Sequence, residues 1–241
     1  GSGLVGSEMC IRDRFVSDAS HELKTPLAGI RLLTDSILQT DHMDEETTKE
    51  FVTDIGREAE RLSRITENLL RLTRLDSGVV QQPYPVAVRP VLERVERMLT
   101  MVAQEKGVTV SGAADEDAVA LATDDDVHQI LYNLMENAIK YSAAEGGFVR
   151  AEAHVDGDKV VLTVSDNGIG IPNEDLPHIF DRFYRVDKMR SREVGGTGLG
   201  LSIVKDTIEN RGGTISAGHG ANGVGTVFTV YLPLAERGEE A

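Results

Sequence analysis

Between Phe51 and Leu75 the apolar residues Phe51, Ile55, Leu62, Ile65, Leu69, Leu72 and Leu75 recur at helical spacing, and Ile55, Leu62 and Leu69 stand seven apart. Such a seam demands a long amphipathic helix with one face that must be covered. A second stripe precedes it: Phe15, Ala19, Leu23, Leu27, Ile30 and Ile37 mark a helix from Phe15 to about Gln39, which Pro26 should kink without ending. The polar stretch TDHMDEETT turns the chain between them. Two helices cannot enclose a core, so the hairpin is expected to pair with that of a second chain, as a four-helix bundle in a homodimer. The alternative packs it on its own C-terminal domain.

The first fourteen residues, GSGLVGSEMCIRDR, show no sustained period, resemble a non-native junction and are set aside, with Cys10, the one cysteine. A formal net charge of -15 disfavours non-specific attraction to nucleic acid or an anionic lipid surface. No apolar run approaches the roughly 20 residues of a membrane span. A single cysteine without a preceding secretory signal favours a reducing, cytoplasmic setting.

DSGVVQQPYP reads as a linker, with a boundary near Gln82. Beyond it, helical signals over about 89–106, 124–141 and 198–210 alternate with the strand-like runs GFVRAEAHV, KVVLTVSD, GTISAGH and GTVFTVYLP. That order predicts an α+β sandwich: helices on one face of a mixed, largely antiparallel sheet with hairpins between adjacent strands. The expected organisation is a segment 1–14, a helical hairpin with linker over 15–82, a second domain over 83–235 and a tail over 236–241.

Four segments of the second half carry chemistry. Asn133, Glu136, Asn137 and Lys140 share one face of the 124–141 helix; a carboxamide oxygen suits Mg2+ that already carries phosphate oxygens, although a solvated helix face has the same make-up. Asp166-Asn-Gly168-Ile-Gly170 follows an apolar strand, so a carboxylate that can accept from an exocyclic amine stands beside glycines that permit close approach; alone, it is also an ordinary turn. Phe180-Asp-Arg-Phe-Tyr-Arg185 leads into the polar VDKMRSREV, read as a mobile lid. Gly195-Gly196-Thr197-Gly198-Leu199-Gly200 then opens a helix whose free N–H groups attract phosphate.

In this order, these segments resemble the N, G1, F and G2 boxes of the sensor histidine kinases, whose ATP-binding (Bergerat) fold is shared with gyrase-type ATPases. Phe15-Val-Ser-Asp-Ala-Ser-His21-Glu22-Leu-Lys24-Thr25-Pro26-Leu is similar to the family's H-box, with Lys24 where arginine is commoner, so the resemblance covers about residues 15–235. It implies a HisKA hairpin, a HATPase domain, and transfer of the γ-phosphoryl of Mg-ATP to His21 and then to an aspartate of a response-regulator receiver. Phosphatase activity toward that receiver is also implied.

By the same resemblance, Glu22 holds the tautomer of His21 and Thr25 orients a water for dephosphorylation. Asn137 holds Mg2+, with Asn133 and Lys140 near the phosphates. Asp166 reads the adenine amino group; Gly168 and Gly170 shape the base pocket, which Tyr141 lines. Arg185 steadies the transferred group, and Gly196, Thr197, Gly198, Leu199 and Gly200 wrap the phosphates. His21, two residues from both Ala19 and Leu23, should face solvent; His42 falls in the turn, and His128, His154, His178 and His219 read as surface or core residues.

Two alternatives are weighed. A gyrase-type ATPase usually has a water-activating glutamate four positions before the metal-binding asparagine, where this chain has Asn133. A dimeric scaffold with a degenerate nucleotide site would not need all four boxes. The kinase core is expected on the cytoplasmic face of a membrane, in a parent anchored through an upstream sensor.

Overall fold

The computed structural model describes residues 2–40, 42–77, 81–143, 146–186, 196–220 and 223–235, with side chains from Phe15 onward. These divide into two compact units, one holding 2–73 and 196–199, the other 74–186 and 200–235.

In the first unit, helices α1 (Ser2–Gln39) and α2 (Glu45–Asp76) form an antiparallel hairpin. Glu22 of α1 meets Arg61 of α2, and a Cβ on Gly29 would touch Glu58, so partners on α2 descend as those on α1 rise. Pro26 lies inside α1, which continues through it. The helix α2 starts inside the stretch expected to be turn, because Asp44 caps it: Oδ1 accepts from Thr47 N at 2.8 Å and Oδ2 from Thr47 Oγ1 at 2.7 Å. Ala19, Ile65 and Leu72 are buried, while Val16, Leu27, Leu32, Leu38, Val52 and Leu70 are exposed.

The second unit comprises β1 (Tyr84–Ala87), α3 (Val88–Glu105), β2 (Val108–Ala114), β3 (Val119–Ala122), α4 (Asp124–Lys140), β4 (Gly147–Asp156), β5 (Lys159–Asp166), α5 (Gly200–Asn210), β6 (Thr214–His219) and β7 (Thr226–Pro233). Among the described residues the main sheet runs β2-β4-β5-β7-β6, parallel only between β2 and β4; β4–β5 and β6–β7 are antiparallel neighbours, as their alternation predicts. Burial alternates along β4, with Val149, Ala151 and Ala153 inside and Phe148, Arg150 and Glu152 outside, so one face of the sheet meets the core. Leu92, Leu99, Ile130, Leu134, Leu162 and Phe228 fill that core.

Three strands escape the sequence reading. Tyr84 and Pro85, assigned to the linker, begin β1, which pairs antiparallel with β3, and β2 is an edge strand. Helix α5 starts at Gly200, two residues later than expected, because Gly198 takes a left-handed φ of 69° that a helix does not allow.

A carboxylate organises the root of α4. Thr123 and Asp126 form a capping box, and Asp126 Oδ2 accepts from Thr123 N at 3.0 Å and from Thr123 Oγ1 at 2.6 Å. The same oxygen meets Arg211 Nε and Nη2, each at 2.7 Å, and Arg211 Nη1 donates to the Gln81 carbonyl at 2.7 Å.

Candidate functional site

His21 lies on the exposed face of α1, opposite buried Ala19, as its spacing requires. Glu22 beside it is half-buried, with Oε2 3.3 Å from Arg61 Nη2. One turn on, exposed Thr25 donates through Oγ1 to the His21 carbonyl at 3.2 Å. His21, Glu22 and Thr25 thus share about one turn of the first unit.

His178 is a surface residue, and its exposed ring places Nδ1 3.1 Å from Asp181 Oδ2, because a turn brings residues three apart together. Exposure and a nearby carboxylate are thus shared by His21 and His178. Of the others, His128 stacks on Tyr132, His219 Nε2 lies 2.7 Å from Asn173 Oδ1, and His154 is on the exposed face of β4.

In the second unit, β5 delivers Asp166 to the edge of the core, where it is 6% exposed. Its Oδ1 accepts from Gly168 N at 2.8 Å and Thr226 N at 3.2 Å. Burial pushes its carboxyl above the ordinary range, against those two backbone donors, which pull it down. With Oδ1 engaged twice, Oδ2 is the oxygen that can take an exocyclic amine.

Backbone packing is tight around it. A Cβ on Gly168 would come within 2.1 Å of the Tyr141 carbonyl oxygen, which Ile169 N bonds at 3.1 Å. Gly170 holds φ at 70° and faces the Gly225 carbonyl.

The sequence reading missed three contributors. Thr226 gives Asp166 its second donor, and Gly225 packs on the Asp166 main chain. Asn167 accepts from Phe148 N at 2.8 Å and donates to the Gly146 carbonyl at 2.9 Å, tying the loop to the start of β4.

The polar face of α4 runs from Asn133 through Asn137 to Lys140 and Tyr141, each half-buried. Asn133 Nδ2 reaches the Gly200 carbonyl at 3.4 Å, where α5 begins. Lys140 Nζ sits 5.8 Å from the Tyr141 ring centre. Burial pushes the Tyr141 phenol up, and the charge of Arg185 pulls it partly back.

Asn133, Asn137, Lys140, Tyr141, Asp166, Gly168, Gly170, Arg185 and Gly200 therefore belong to one unit. Gly196, Thr197, Gly198 and Leu199 group with the helical unit instead, where Asn68 Nδ2 lies 3.4 Å from Thr197 Oγ1. Val186 is the only residue of the expected lid among the described residues.

Among the described residues no three His, Cys, Asp or Glu side chains converge on a metal position. A cation beside Asn137 would thus take most of its oxygens from phosphate and water, which is how Mg2+ is usually held with a nucleotide. The neutral carboxamide fits that arrangement.

Family profiles match both units. Residues 11–78 match HisKA, the His Kinase A (phospho-acceptor) domain, and residues 122–236 match HATPase_c, the histidine kinase-, DNA gyrase B- and HSP90-like ATPase. The hairpin and the sandwich together define a histidine-kinase core, and the chain belongs to the sensor histidine kinases. It is 36% identical over 233 residues to the sensor histidine kinase WalK of Bacillus subtilis (strain 168), covering 95% of this chain but 38% of that protein.

Two solved structures resemble it as well. Full-length ShkA in complex with AMPPNP has a TM-score of 0.66 and 28% identity, over 92% of this chain and 46% of that one. Histidine kinase ThkA in complex with the response regulator protein TrrA shares the fold, with a TM-score of 0.75 and 22% identity over 96% of this chain and 65% of that one. Among the described residues no helix is long and apolar enough to cross a membrane.

Proposed function

We propose that this chain is the ATP-dependent core of a protein-histidine kinase that phosphorylates itself on His21 and passes the phosphoryl group to an aspartate of a response-regulator receiver. One ring nitrogen of His21 attacks the γ-phosphorus; an N–P bond forms as the bridging P–O bond breaks and ADP leaves. Glu22 holds the proton of the other ring nitrogen, keeping the attacking one unprotonated. Asp166 orients the adenine, Gly168 and Gly170 bring the backbone against it, and Tyr141 lines the base. Lys140, Asn133 and Arg185 meet the phosphates, with Gly196, Thr197, Gly198, Leu199 and Gly200 wrapping them. Asn137 would hold Mg2+ brought in with the nucleotide, which would supply charge neutralisation at the phosphate oxygens.

The observation that carries this reading is Asp166, buried with one oxygen taken by two backbone donors and the other left for an amine. Asn133 in place of a water-activating glutamate favours transfer to an imidazole over hydrolysis. The exposed Leu27, Leu32, Val52 and Leu70 support a homodimer, since burying each large side chain is worth about 1.5–3 kcal/mol. A hairpin unit over 15–82 and a nucleotide unit over 83–235 complete the reading, as does a longer, membrane-anchored parent with this core on its cytoplasmic side.

Incubation with Mg-ATP tests it. Acid-labile, base-stable label should appear on wild type and on His178→Gln and be absent from His21→Gln; label persisting in His21→Gln overturns the assignment.

A further inference from the structure

Along α2 the buried residues are Arg61, Ile65 and Leu72, so a guanidinium occupies a place in an otherwise apolar stripe. Arg61 is 7% exposed. Its Nη2 lies 3.3 Å from Glu22 Oε2 on α1, and its Nη1 lies 3.8 Å from Glu58 Oε2, one turn back on its own helix. Two carboxylates from two helices thus flank one cation. Arg61 Nε and Glu58 Oε2 are buried atoms without a hydrogen-bond partner, so the guanidinium is satisfied chiefly through Glu22.

Such an arrangement is a poor way to hold two helices together. Removing a guanidinium from water costs more than an apolar side chain at the same place, and the orphaned atoms add to that cost. What it does provide is orientation. A planar fork fixes one carboxylate oxygen in position far better than solvent does.

We propose that Arg61 is a positioning residue for the reaction at His21. By engaging Oε2 of Glu22, it leaves Oε1 as the oxygen available to the imidazole N–H and restricts the rotamers from which Glu22 can serve it. Glu58 is a competing acceptor for the same guanidinium. The inference rests on His21 as phosphoacceptor and Glu22 as the holder of its proton; it adds the residue on the second helix through which Glu22 is held.

The test uses the full chain, with initial rates of autophosphorylation measured across ATP concentrations. Arg61→Met should lower kcat by about 10–100-fold, the range expected for a misplaced reacting group, and leave KM for ATP unchanged, because the partners of Arg61, Glu22 and Glu58, are not among the residues proposed to hold the nucleotide. Arg61→Lys should recover part of the loss. In a Glu22→Gln background, Arg61→Met should bring no further fall. If Arg61→Met unfolds, Arg61→Gln takes its place in the same cycle.

A second readout needs no phosphorylation: the 15N shifts of the His21 imidazole, which report its tautomer, should change in Arg61→Met but not when Glu22 is already Gln. A wild-type kcat in Arg61→Met, or an equal fall in both backgrounds, overturns the proposal. Absence of label on wild-type His21 with the tautomer shift intact would sink the kinase reading and leave the Arg61–Glu22 coupling standing.

Discussion

Gly225 packs directly on the main chain of Asp166: a Cβ at Gly225 would come within 1.9 Å of the Asp166 carbonyl oxygen, and its φ is 73°. Two independent obstacles therefore meet at one position. Gly107 shares a left-handed φ of 67° but has open space around it. Gly107→Ala should cost only the backbone penalty of about 1–2 kcal/mol. Gly225→Ala should cost more and weaken nucleotide binding, because relieving the overlap displaces the strand end that carries Asp166. Thermal denaturation of the two variants side by side checks this, and equal losses would contradict it.

Nucleotide affinity should depend on the ionisation of Asp166. Its carboxyl titrates above the ordinary aspartate value of 3.8, mainly through burial, and an adenine amine favours the ionised form. Affinity for ATP should therefore fall as pH drops through the raised value. Asp166→Asn keeps an acceptor for Gly168 and Thr226 but sets an amide N–H against the adenine amine. A loss of about 1.5–3 kcal/mol, roughly 10–150-fold in Kd, with a flatter pH profile, is expected by calorimetry.

The same shift has the opposite sign for stability. With its folded value raised, Asp166 contributes most below the ordinary aspartate pKa, and that contribution is lost as pH rises through the raised value. Above the raised value the ionised carboxyl opposes folding. Asp166→Asn should therefore melt at the same or a higher temperature than wild type at pH 7, the advantage fading toward pH 3.8. A variant markedly less stable at neutral pH would refute this.

Substitution at Thr25 should separate two activities. Its hydroxyl bonds back to the His21 carbonyl and stays exposed, so Thr25→Ala should leave α1 and autophosphorylation unchanged while removing receiver dephosphorylation. Release of phosphate from a phosphorylated receiver is the measurement, and a wild-type rate would exclude the role.

Asp44 governs where α2 starts. Its pKa is lowered chiefly by the Thr47 backbone N–H, then by the Thr47 hydroxyl. Its contribution is present above the ordinary value and lost as pH falls through the lower, folded one. Asp44→Ala should lower the melting temperature at neutral pH, and the difference from wild type should close in acid.

What the sequence disclosed followed the range of its signals. The stripes through Ile65 and Leu72, and the alternation through Val149, Ala151 and Ala153, are local and periodic, so helices and hairpins were readable. β1 and β3 span four residues each and pair Tyr84 with Ala122 across a helix and a strand, which no local period encodes. Asp166 and Gly168 stood out because strand end, carboxylate and glycines are contiguous. Gly225 and Thr226 act through backbone atoms on Asp166, 59 and 60 positions away, and nothing in their own side chains announces it. The carboxylate beside His178 escaped notice because a turn, not a helix, brings Asp181 back.

One carboxylate at the root of α4 also acts as a mechanical anchor. Through Asp126 and Arg211, the segment at Gln81, the first turn of α4 and the end of α5 are clamped to a common point. Asn137 stands about 16 Å farther along that helix, at 1.5 Å per residue. A helix pivoting at its clamped end behaves as a lever arm: a tilt of about 5° there would sweep Asn137 through roughly 1.4 Å over that length. Misplacement on that scale can cost about 100-fold in a reaction that depends on positioning. The amide at Asn137 is thus held between that anchor and the buried Ile130, Leu134, Ala138 and Ile139, which leave the helix little room for such a sweep.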